Sequence, residues 1–129
     1  MQYTYCFANA SLVLRLTTYL SEQTFIDFTS VTVLYLVDRW IVRIQLRHPI
    51  SASLRGNFLS FLQETGYPFT LSARDTNVLA ALEAGASVST VMERYHIVII
   101  SHGALQPEKI EKFRTNFTSS LGYCPPSLV

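Results

Sequence analysis

The chain has 129 residues, of which 49% are apolar and only 15% charged, with a formal net charge of +1 and two cysteines. That length supports one domain able to bury roughly two thirds of its unfolded surface, so neither a disulfide nor a metal is required to hold it. Near-neutral charge gives no argument for a nucleic-acid backbone or an anionic membrane as partner, and no apolar run reaches the roughly 18 residues of a membrane span.

Residues 1–7 alternate Tyr3, Tyr5 and Phe7 against Gln2, Thr4 and Cys6, a strand pattern. Asn9 or Ser11 can cap a following helix with Leu12, Val13, Leu16, Tyr19 and Leu20 at helical spacing, ending near residues 21–23. Residues 24–29 either lead into the strongest signal in the chain or form a short separate strand before it; that signal is residues 30–46, which are β-branched and aromatic almost throughout and contain no glycine or proline. Asp38-Arg39 divides this stretch into two adjoining strands. The first half is apolar at nearly every position, as in a strand covered on both faces. The second alternates, with Trp40, Val42, Ile44 and Leu46 facing a core and Ile41, Arg43, Gln45 and Arg47 facing the other way.

Pro49 breaks the strand, and Ser51 or Ser53 opens a helix through Leu54, Phe58, Phe61 and Leu62. Gly66 stands where a left-handed C-cap is expected, and Gly56 inside the helix predicts close packing against a neighbour. Ser72 or Asp75 caps a short helix ended by Gly85, and Ser87 caps another. Residues 96–101 read as a short buried strand bounded by His102-Gly103. Pro107 takes the first turn of a last helix with Ile110, Phe113, Phe117 and Leu121 on one face, and Gly122 stops it.

This order predicts a single α+β domain over residues 1–129, with residues 123–129 as an irregular tail. The expected architecture is a ferredoxin-like β-α-β-β-α-β sandwich closed by the late strand, with an inserted helical pair and an additional C-terminal helix. Many unrelated functions share that frame, so function must be argued from side chains.

The side chains carry no unambiguous chemistry. His48, His96 and His102 show no metal-ligand spacing, the five glycines are isolated, and no nucleophile elbow is present. No catalytic residue, metal or cofactor is therefore assigned. Cys6 and Cys124 form no C-x-x-C pair, and with no signal segment after Met1 they read as thiols in a reducing, cytoplasmic setting. A charged fraction well below the roughly 25% of typical domains points to a surface shared with another subunit or protein. The chain is thus read as a non-catalytic protein-interaction or regulatory module that self-associates through a sheet face or edge and engages another protein. Arg39, Trp40, Ile41, Arg43 and Arg47 are the candidate contact residues.

Two further readings have their own residues. Residues 77–96 resemble the first two helices of a helix-turn-helix, which implies DNA binding, yet Arg94 is the sole basic residue there before His96 and no reading helix follows. Ser101, His102 and Gly103 at a strand's carboxyl end could line a small-ligand pocket or assist proton transfer, although neighbours on an extended chain point to opposite sides.

Overall fold

A computed structural model describes all residues, 1–129. Its elements run β1 (Gln2–Phe7), α1 (Ala10–Glu22), β2 (Phe28–Leu36), β3 (Arg39–Leu46), α2 (Ala52–Thr65), β4 (Tyr67–Pro68), α3 (Ala73–Glu83), α4 (Val88–Tyr95), β5 (Val98–Gly103) and α5 (Pro107–Leu121), then a 3-10 turn at Pro126–Leu128. Five strands form one antiparallel sheet in the order β4-β1-β3-β2-β5.

The elements follow from local chemistry. Asn9 accepts a hydrogen bond from the Leu12 amide at 3.0 Å, Ser72 from Asp75 at 3.1 Å and Ser87 from Thr90 at 3.2 Å, so three helices start on side-chain caps. Gly85 and Gly122 take the positive φ of 97° and 77° that ends α3 and α5. Leu36 pairs with Arg39, so the hairpin turn is Val37-Asp38, one residue earlier than the Asp38-Arg39 division expected.

Alternation on β1 and β3 sorts side chains to two faces, and both faces are covered. On one, Phe7, Trp40, Val42, Ile44, Val31, Val33 and Tyr35 pack beneath α1, α2 and α5. On the other, Cys6, Leu34, Ile41 and Ile99 pack beneath α3 and α4 through Val78, Leu79, Leu82 and Val91. The result is three layers, not a two-layer sandwich, and the second core accounts for part of the apolar excess.

Several expectations change. The late strand, expected to close a ferredoxin-like sheet, pairs instead with β2 on the far edge, and the two-residue β4 holds the place beside β1. The five-strand order is accordingly not that of the four-stranded frame. Gly66 has φ −158°, ordinary extended backbone. Its requirement is spatial, since a Cβ there would overlap the Cys6 carbonyl oxygen and press on the Phe7 ring. A Cβ on Gly56 would meet nothing within 4 Å, so close packing does not explain that glycine. Within residues 123–129 the end is docked: Ser127 and Leu128 are buried, and the Trp40 indole donates to the Ser127 carbonyl at 2.7 Å, while Tyr123 and Cys124 are exposed. No helix is long and apolar enough to cross a membrane.

Candidate functional site

Strand pairing places polar side chains from four strands in one row. Thr4 on β1 stands opposite Arg43 on β3, Arg43 opposite Thr32 on β2, and Thr32 opposite His102 on β5. The row lies on the face that carries α3 and α4. The Arg43 side chain is only 12% exposed; its Nη1 lies 3.3 Å from Glu83 Oε1 on α3 and its Nε 3.4 Å from the Thr4 hydroxyl. Thr32 Oγ1 and His102 Nδ1 are 2.6 Å apart, which orients the imidazole and leaves Nε2 without a partner in the chain. Near Arg43 in sequence, buried Gln45 Oε1 has no hydrogen-bond partner.

β5 is the second component. It pairs with β2 alone, and its other backbone edge meets no strand. Val98 to Gly103 contains no lysine, acidic residue or proline, and its one irregularity is a bulge opposite Val33 and Leu34. Ile99, Ile100 and Ser101 are buried, and the accessible part of this edge is at its ends, Val98, His102 and Gly103, where unpaired N–H and C=O groups can meet an approaching strand.

At the start of β5 a cleft of about 550 Å³ opens between the end of β2, the α4-β5 junction and the last turn of α5. Leu36, Val37, Ile97, Val98, Phe117 and Leu121 supply most of its apolar wall, and Arg74 and His96 stand on it. Val37 is 90% exposed and Tyr123 63%, with Leu121 and Val98 partly open beside them. Large apolar side chains gathered at one end of a molecule mark a contact or ligand surface.

The sequence candidates divide among these features. Trp40 and Ile41 are wholly buried, on opposite faces of the sheet, and offer no surface. Arg39 lies beside Asp38 at 3.2 Å with its guanidinium over the Phe69 ring, and Arg47 lies 3.8 Å from Asp27 at the other end of β3. Four of the five lie on β3 and Arg47 just beyond it, so they are not one patch, and only Arg43 joins the polar row. His102 joins it too, so residues singled out for two different reasons meet through Thr32. Ser101 is buried and stands opposite Val33, in the position next to His102; the two form no nucleophile and base pair. The cleft lies at the other end of β5 and does not include His102.

Arg94 is exposed on α4, and the chain after α4 is a strand, so the helical pair has no reading helix behind it. No three His, Cys, Asp or Glu side chains converge as a metal site would need. Cys6 is buried and Cys124 exposed, both as free thiols. The cleft residues Arg74, Val37, Val98 and Tyr123 carried no sequence signal, because they come from four separate segments whose meeting depends on β5 joining β2.

No protein-family model matches the chain, and no curated protein matches it. Among solved structures, the C-terminal domain of YpbH is similar at 17% identity and a TM-score of 0.43, over 56% of this chain and 72% of that one. A likeness of that size carries no argument, and the functional reading rests on the residues.

Proposed function

We propose that the chain is a non-catalytic interaction module that self-associates through the free edge of β5 and presents the adjoining surface to a second protein. The observation that carries the reading is that edge: six residues of strand, paired on one side only, without the charges that block edge-to-edge pairing. The low charge of the chain supports the same conclusion. Antiparallel pairing of two β5 strands about a twofold axis would be isologous and closed, and would join two sheets into one. A regulatory role in the cytoplasm fits such a module.

Within the architecture, we read β1 to β4 as a ferredoxin-like frame. Its support is the order β4-β1-β3-β2, with β4 reduced to Tyr67–Pro68 and β5 added outside β2.

Light scattering over a concentration series tests the association. The expected species has twice the 14.6 kDa chain mass. Val98→Lys should shift it to monomer, and outward-facing β5 amides should exchange more slowly in the dimer than in that variant. A monomer at every concentration would sink the reading.

A further inference from the structure

The cleft differs from a simple apolar contact patch in one respect, which is the state of its charged residue. Arg74, in the first turn of α3, donates from Nη2 to the carbonyls of Tyr95 and His96, the latter at 3.1 Å. Those carbonyls close the C-terminus of α4, so one nitrogen of this exposed guanidinium is anchored there. One nitrogen makes both bonds. Nε and Nη1 have no acceptor in the chain, and Arg74 has no carboxylate partner.

The remaining wall offers nothing to neutralise that charge. It contains no Asp or Glu, and its other ionisable side chains are His96, Tyr35 and Tyr123. The Tyr35 hydroxyl is already engaged, donating to the Val37 carbonyl at 2.8 Å and bonded to Ser127 Oγ at 2.8 Å. His96 caps α4 with φ 53°, a left-handed conformation that a non-glycine residue adopts at a cost. This turn brings His96 to the wall beside Arg74. The cleft thus combines an apolar wall, a volume in the range of small-molecule sites, and one fixed cation whose remaining donors are unused.

We infer that this cleft binds a small amphipathic monocarboxylate, with its apolar body against Leu36, Val98, Phe117 and Leu121 and its carboxylate on Arg74 beside His96. The charge complementarity decides the class. Arg74 is exposed, so a neutral molecule would leave its donors to water and gain nothing from them, a cation would be repelled, and a carboxylate alone would add a charge-assisted contact to the apolar one. The inference rests on the donors of Arg74 rather than on the unpaired backbone of β5, although Val98 belongs to both the edge strand and the cleft wall.

The test uses the full chain and three ten-carbon probes below their aggregation concentrations: decanoate, decanol and decylammonium. Amide chemical shifts locate binding and calorimetry measures it. Decanoate should bind at one site and perturb Val37, Ile97, Val98 and Leu121. Decanol should bind about tenfold more weakly, the equivalent of one charge-assisted hydrogen bond. Decylammonium should show no shifts in the cleft. Arg74→Gln should lower decanoate affinity by about the same factor while decanol binding stays unchanged, which also shows that the variant retains its cleft. Equal affinity for decanoate and decanol, or an Arg74→Gln variant that binds decanoate as the parent does, would overturn the inference. So would cleft shifts that follow protein concentration and ignore decanoate, because they would assign the cleft to a second copy.

Discussion

Gly66 shows how one residue can join two layers of the molecule. It ends α2 with extended backbone, and its lack of a side chain lets the chain pass against the Cys6 carbonyl and the Phe7 ring on β1. The neighbouring Tyr67 then enters β4 opposite Cys6, whose Sγ lies 3.1 Å from the Tyr67 hydroxyl. The hydrogen bond with Cys6 pushes the pKa of the Tyr67 phenol above the usual tyrosine value. Gly66→Ala should destabilise the chain by about 1–3 kcal/mol, because the new methyl meets backbone and a buried ring, neither of which can rotate away. Urea unfolding measures this, and a change within about 0.5 kcal/mol, as at an ordinary surface site, would refute the steric account.

At the scale of elements, α3 and α4 behave as a lid on the second sheet face. Each begins with a serine cap, and together they bring Val78, Leu79, Leu82 and Val91 onto Cys6, Leu34, Ile41 and Ile99. Glu83 at the end of α3 adds the ion pair to Arg43. Ser72→Ala and Ser87→Ala should each cost about 1 kcal/mol, the usual worth of a helix N-cap. Hydrogen exchange should show faster exchange in the first turn of the helix concerned. Ser51 precedes α2 but makes no side-chain cap hydrogen bond, so Ser51→Ala is the internal control.

The whole molecule is closed by its last residues. Residues 126–128 return beneath α1 and α5, where Leu128 is fully buried and Ser127 contacts both Tyr35 and Trp40. The two aromatic side chains pack edge to face at 5.1 Å, with Phe113 of α5 against both. Removing residues 126–129 empties the Leu128 site and leaves the Trp40 indole N–H without its acceptor. The expected loss is about 3–5 kcal/mol, from the cavity and the unsatisfied donor together. Chemical denaturation should show it as a lower midpoint with a single transition, since both cores share the sheet. A truncated chain as stable as the full one would show that the docking is not structural.

What the sequence determined is what neighbours along the chain decide. Period-two alternation placed Trp40, Val42, Ile44 and Leu46 in a core, Ser87 capped its helix, and Gly85, Pro107 and Gly122 set boundaries, because each acts within a few residues of itself, while the choice of Asn9 over Ser11 and of Ser72 over Asp75 came from the structure. The mixed α+β class followed from the element order. The tertiary structure alone decided which strand β5 would join, and with it both the row from Arg43 through Thr32 to His102 and the cleft around Arg74. Local patterning cannot reach that far: it reports which side of a strand is apolar, but a strand's partner is chosen by which sheet edge and which helices bury it best. The same limit explains Trp40 and Ile41. Their alternation was legible, whereas the burial of both faces depended on a helical pair more than thirty residues away along the chain.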